Sequence, residues 1–187
     1  MLISFSGAQS TGKSTLLQAC KELPIFRGFI FVDEVTRRVK KETGIEINDT
    51  AANYNYAQTL IVADHIKNIS LKNAVLDRCI LDGYVYTRYL ADRSKVSEYV
   101  ADFAERAYLE LIHNYDIVFY TDPKIPLVDD GIRSIDTGFR ESIIGRFERE
   151  IKFQRKANRK SRIVRVKGAL EERLKTITDT VAKFQKI

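Results

Sequence analysis

Residues 7–14 read Gly7-Ala8-Gln9-Ser10-Thr11-Gly12-Lys13-Ser14. The spacing is G-x-x-x-x-G-K-S, the phosphate-loop pattern. A polyphosphate carries anionic oxygens on every side, so backbone N–H groups must approach it with no Cβ in the way. Gly7 and Gly12 supply that freedom. The helix that follows aims its unpaired N–H groups and positive dipole end at the same phosphates. Lys13 is placed to reach the β and γ phosphates, and the Ser14 hydroxyl to ligate Mg²⁺. Residues 7–14, together with Thr15, therefore read as an ATP-binding segment. The flanks agree: Met1-Leu2-Ile3-Ser4-Phe5 is a short apolar, strand-like run, and residues 15–22 suit a helix.

The chain has 187 residues, 44% hydrophobic and 30% charged. That fits one globular domain over 1–187 with a sizeable core. No apolar run approaches the roughly 18 residues of a membrane span. With a strand expected from Leu2, no leader peptide is expected. Cys20 and Cys79 are too few for a disulfide framework or a zinc site. A cytoplasmic setting is expected. The net charge of +6 is uneven: residues 131–167 hold twelve Lys or Arg against four acids, an excess of +8, leaving −2 elsewhere.

In chain order, residues 28–32 form an apolar run expected to be a buried parallel strand. It stops at Asp33-Glu34. Residues 35–41 are basic and helix-like. A long helix is expected from about 50 to 71, capped by Asn48 or Asp49. Residues 74–76 form a strand ending at Asp77-Arg78. Helices follow over 81–91 and 96–113, then a strand over 116–120. Residues 124–135 are irregular and open a basic lid region of about 124–150. A helix over 138–157, a strand over 162–166 and a helix over 169–184 complete the chain. This alternation predicts an α/β fold with a five-stranded parallel sheet and right-handed crossovers.

Acids at the carboxyl ends of parallel strands sit where such sheets hold ligands. Asp33 and Glu34 suit a carboxylate that orients an acceptor hydroxyl, a Walker-B-type pair, or a helix N-cap. Glu34 is favoured, because Arg37 follows at one-turn spacing. Asp77 could reach Mg²⁺ through water. Arg78 could hold a phosphate or a substrate oxygen, or form a surface ion pair. In the lid, Asp129-Asp130-Gly131-Ile132-Arg133 precedes Arg140. An arginine delivered there would neutralise the transferring phosphoryl group; Arg133 is the first choice, then Arg140. His65 and His113 read as structural. Tyr54, Tyr56, Tyr84, Tyr86 and Tyr89 could stack on a base or pack the core.

Four elements occur in order: residues 7–14, Glu34-x-x-Arg37, Asp77-Arg78-x-x-x-Asp82 and Val128-Asp129-Asp130-Gly131-Ile132-Arg133. Together they resemble the small P-loop kinases of the ribosylnicotinamide kinase type and their ATPase-like relatives. The resemblance implies a P-loop kinase fold, Mg-ATP as donor, and a nucleoside- or nucleotide-like acceptor. It implies acceptor contacts at Glu34, Arg37, Arg78, Asp82 and Asp130. It also implies catalytic roles for Lys13, Arg133 and Asp33 or Glu34.

Three activities are open to such a chain. The first is a small-molecule kinase, the second a nucleic-acid kinase using the basic 131–167 segment, the third a regulatory ATPase. No Asn-Lys-x-Asp guanine signature is present. Oligomerisation is open, and no membrane partner is expected.

Overall fold

The computed structural model describes residues 1–44, 54–123, 137–156 and 162–185. Five strands form one parallel sheet: β1 (Leu2–Ser6), β2 (Ile30–Val32), β3 (Ala74–Asp77), β4 (Ile117–Thr121) and β5 (Arg162–Val166). Their order is β2-β3-β1-β4-β5, so β1 is central, between β3 and β4. In register, Phe5 faces Asp77 of β3 and Phe119 of β4. The phosphate loop thus leaves the middle of the sheet, and the Asp77-Arg78 turn leaves the strand beside it.

Seven α-helices cover the sheet among the described residues: α1 (Lys13–Lys21), α2 (Val35–Thr43), α3 (Tyr54–Asn68), α4 (Ile80–Ala91), α5 (Glu98–Leu111), α6 (Thr137–Lys156) and α7 (Leu170–Gln185). The period-two alternation of strand side chains assigns them to two layers. Ile3, Phe5, Val75, Ile117, Phe119 and Val166 pack with Leu16 and Cys20 of α1 and Ile177 and Val181 of α7. Leu2, Leu76, Val118 and Tyr120 pack with α4, α5 and α6 through Leu81, Tyr108 and Phe147. The same alternation turns Ser4 and Ser6 of β1 toward the α4 layer, and this places Ser6 against Asp82.

The parallel five-stranded α/β fold expected from the sequence is the one observed. Several boundaries differ. β2 is shorter than 28–32 and only partly covered, with Ile30 54% exposed. It is an edge strand rather than a buried one, because only β3 flanks it. α3 stops at Asn68, short of 71, and residues 69–71 close in tight turns onto 66–68. α5 begins at Glu98 because Ser97 caps it, its Oγ accepting from Val100 N. Asn48 and Asp49 lie outside the described residues. So does the first half of the lid region; its second half is the opening of α6, anchored by buried Ile143, Phe147 and Ile151.

Candidate functional site

The loop between β1 and α1 turns on left-handed backbone at Ser10 (φ 54°) and Gly12 (φ 76°), after Gly7 at φ 137°. Gly7 also has no room for a side chain. A Cβ there would lie 2.7 Å from Thr121 Oγ1. Thr121, at the end of β4, pairs with Thr11 Oγ1 at 2.6 Å and donates to Ser6 O at 3.1 Å. Arg173 of α7 donates to Thr11 O at 3.2 Å. Arg140 of α6 donates to Gln9 O at 3.4 Å and Pro123 O at 2.8 Å. The loop is thereby held from three sides, by β4, α6 and α7.

Lys13 is buried and folded back over the loop. Its Nζ donates to Gly7 O at 2.9 Å, Ala8 O at 2.6 Å and Thr11 Oγ1 at 3.3 Å. Burial lowers its pKa from 10.5 to about 7, with the Arg78 guanidinium as the next contributor. Ser14 and Thr15, on the first turn of α1, are exposed.

Beside the loop, Arg78 adopts φ 76°, a left-handed conformation costing a non-glycine residue about 1–3 kcal/mol. The turn is fixed by Arg78 N donating to Phe5 O at 2.9 Å and by α4 starting at Ile80. It folds the guanidinium back toward the phosphate loop. Arg78 Nε donates to Glu34 Oε1 at 2.6 Å, and Nη1 donates to Gly7 O at 3.3 Å and Asp82 Oδ1 at 3.2 Å. Its guanidinium lies 5.1 Å from the Tyr86 ring centroid, and Tyr86 Oη donates to Gln9 Oε1 at 3.4 Å. Glu34 also accepts from Arg37 Nε at 3.1 Å. Asp33 is exposed. Glu34 does occupy the N-cap position of α2, but its side chain does not cap the helix.

Asp82 is 1% exposed, in the first turn of α4. Its Oδ2 accepts from Ser6 Oγ at 2.7 Å and Cys79 N at 3.0 Å; its Oδ1 accepts from Gly7 N at 3.3 Å and from Arg78. Asp77 Oδ1 is buried without a hydrogen-bond partner among the described residues, and burial raises the Asp77 pKa. A buried carboxylate oxygen without a donor is what a cation nearby would satisfy. The hydroxyl of Ser14 and the carboxylate of Asp77 are donor types that suit a hard, oxygen-preferring divalent ion such as Mg²⁺.

The structure thus brings residues 7–15, Glu34, Arg37, Asp77, Arg78, Asp82 and Arg140 around the carboxyl edge of β1 and β3. Asp130 and Arg133 lie outside the described residues. The sequence did not single out Ser6, Thr121 and Arg173. A polar residue closing an apolar strand was the only available signal for the first two, and nothing marked Arg173. Among the tyrosines, Tyr86 sits on Arg78, while Tyr84 stacks on Tyr108 with centroids 5.0 Å apart. His65 is buried and His113 exposed. Cys20 and Cys79 are buried free thiols. No helix of the described residues is long and apolar enough to cross a membrane.

A phosphate loop on the central strand, with a paired arginine and carboxylate beside it, defines a P-loop domain of the kinase-like fold. The family described as an AAA domain, AAA_28, matches residues 2–173, and the chain belongs to it. No curated protein matches. Among solved structures, a NadR protein in complex with NR superposes with TM-score 0.68 at 18% identity, covering 100% of this chain and 52% of that one. The present chain therefore spans about half the length of that protein. A deoxyadenosine kinase from M. mycoides, with dCMP and dCDP bound, gives TM-score 0.63 at 14% identity, covering 98% of this chain and 100% of the other. The YorR protein from Bacillus subtilis, in complex with phosphorylated GDP, gives 0.58 at 17%, covering 100% and 99%.

Proposed function

We propose that the protein is an ATP- and Mg²⁺-dependent phosphotransferase acting on a hydroxyl of a nucleoside-like acceptor or the phosphate of a nucleotide-like one. One observation carries this reading. A buried arginine, Arg78, is locked to Glu34 and at the same time to the first residue of the phosphate loop. In a Walker-B-type ATPase the carboxylate would serve the metal or the attacking water instead, and the tie from Glu34 to Arg78 favours a role beside the donor site. A kinase needs such a cation–carboxylate pair to seat its acceptor in line with the γ-phosphate. The structural neighbours named after nucleoside substrates favour the same reading.

In this scheme the phosphate-loop N–H groups and Lys13 hold the donor phosphates. Lys13 leaves the Gly7 and Ala8 carbonyls to do so. Glu34 orients the acceptor hydroxyl and takes part in removing its proton; Asp33, exposed at the same strand end, is the alternative. Arg78 holds the acceptor oxygen or phosphate, with Arg37 at the rim. The acceptor oxygen forms a new bond to the γ-phosphorus as the bond to the ADP leaving oxygen breaks. Arg140, with Arg133, neutralises charge on the transferring group. Ser14 and Asp77 would hold Mg²⁺, which supplies charge neutralisation on the phosphates.

A second reading, a kinase acting on nucleic acid, draws on a cleft of about 460 Å³ lined by Glu148, Ile151, Lys152, Arg155 and Arg165. Its positive charge is partly offset, since Arg165 already pairs with Glu148 and Asp122. The test is ADP release from Mg-ATP with nicotinamide riboside, deoxynucleosides, nucleoside monophosphates or oligonucleotides, at two salt concentrations. Release that needs a nucleoside or monophosphate and depends little on salt supports the first reading. Release only with oligonucleotides, lost at high salt, moves the activity to nucleic acid. Full-rate release with no acceptor identifies an ATPase.

A further inference from the structure

Asp82 stands between two groups that the proposed reaction must bring into register. One oxygen of its carboxylate accepts from Ser6 Oγ, Cys79 N and Cys79 Sγ, the other from Gly7 N and Arg78 Nη1. These five donors belong to the end of β1, the start of the phosphate loop, the start of α4 and the acceptor-side arginine. At 1% exposure, the carboxylate has no open face toward solvent. Its acceptor capacity is spent on the protein.

The Gly7 peptide is the junction. Its N–H donates to Asp82, and its carbonyl accepts from both Lys13 Nζ and Arg78 Nη1. Donor phosphates that draw Lys13 off this carbonyl leave Arg78 as its remaining side-chain partner. They also screen the repulsion between two buried cations. Both effects settle Arg78, and through Nε they settle Glu34. Asp82 holds the Gly7 peptide and the guanidinium in the relative position that makes this transfer possible.

We propose that Asp82 is a positioning residue that couples donor-site occupancy to the acceptor site through Gly7 and Arg78, rather than a ligand of the substrate. The proposal rests on the kinase reading for its purpose. Its physical core, the link from phosphate loop to Arg78, can be read without any acceptor.

The test uses the full chain with AMP-PNP and Mg²⁺ as donor probe, and deoxyadenosine or nicotinamide riboside as acceptor probe. Binding of AMP-PNP should shift the NMR signal of the Arg78 Nε–H group, identified by its loss in Arg78→Lys. In Asp82→Asn that shift should largely vanish while AMP-PNP affinity stays within about threefold. Allosteric couplings commonly amount to about 5–150-fold in affinity. AMP-PNP should tighten acceptor binding by a factor in that range in the unmodified chain and by almost nothing in Asp82→Asn. If Asp82→Asn does not fold, Ser6→Ala removes one of the five donors, keeps the carboxylate and should lose part of the coupling. Coupling and signal shift that persist unchanged in the folded variants overturn the proposal. So does AMP-PNP affinity that falls as far as the coupling, which would make Asp82 a structural support of the loop. If the unmodified chain phosphorylates neither acceptor, the kinase reading fails for these acceptors, and the Arg78 signal still decides the role of Asp82.

Discussion

Lys13 and Arg78 converge on one carbonyl oxygen, that of Gly7, at 2.9 and 3.3 Å. Two buried cations this close repel each other, and carbonyl oxygens with the Asp82 carboxylate hold them there. Lys13→Ala removes one cation from a site where burial already disfavours its charge. The variant should fold with an unchanged or higher melting temperature. Turnover should fall by at least about 10²-fold, the effect of losing one preorganised donor to a developing charge. Melting curves and steady-state rates check both halves; a variant that unfolds would show that the lysine is structural.

Gly7→Ala acts on the same junction from the backbone. At φ 137° a side chain is strained, and the new Cβ would lie 2.7 Å from Thr121 Oγ1 and 3.3 Å from Thr121 O. The variant should lose about 1–3 kcal/mol of stability. Because Gly7 also meets Asp82, Lys13 and Arg78, AMP-PNP affinity should fall with it. Calorimetric melting and titration give the two numbers. Unchanged values in both would mean that β4 and the loop separate more easily than their hydrogen bonds imply.

His65 sets a pH dependence. It is buried between α3 and α4, its Nδ1 has no hydrogen-bond partner among the described residues, and burial lowers its pKa from 6.5 to about 4. On acidification the unfolded chain takes up this proton first. The contribution of His65 to stability is therefore fully present above pH 6.5 and lost as pH falls toward 4. The loss reaches about 3 kcal/mol at most. Melting temperatures of the unmodified chain should drop more steeply over that window than those of His65→Asn. Parallel curves would refute the assignment.

The parts legible in the sequence were those encoded locally. The eight residues 7–14 announce a phosphate loop by their spacing alone, and apolar runs separated by amphipathic stretches announce a parallel sheet. Strand order is not local, so the edge position of β2 and the exposure of Ile30 could not be read. The same holds for the site. Asp82 meets Ser6 only because β3 lies beside β1, 76 positions apart in sequence. Arg173 reaches Thr11 across 162 positions, with no motif to announce it. Arg78 could be named as a candidate, but its left-handed backbone follows from Phe5 O capturing its N–H. The spacing to Arg37 favours Glu34 over Asp33, and Glu34 and Arg37 do pair at 3.1 Å; the shorter tie from Arg78 to Glu34 has no local signal in the sequence.

Glu34→Gln separates the acceptor side from the donor side. The glutamine keeps the shape and one accepting oxygen, so Arg78 still has a partner there and retains Asp82. What is lost is the negative charge that, in the proposed reaction, receives the acceptor proton or fixes the hydroxyl in line. General acid–base contributions are typically about 10²–10⁴-fold, and kcat should fall within that range. AMP-PNP affinity should change by less than about threefold, since no donor-phosphate group is altered. Rates with saturating acceptor and a separate titration with AMP-PNP distinguish the two effects. A collapse of AMP-PNP affinity instead would place Glu34 with Ser14 and Asp77 at the metal. The exposed Asp33, one residue earlier on the same strand end, would then be the group that meets the acceptor.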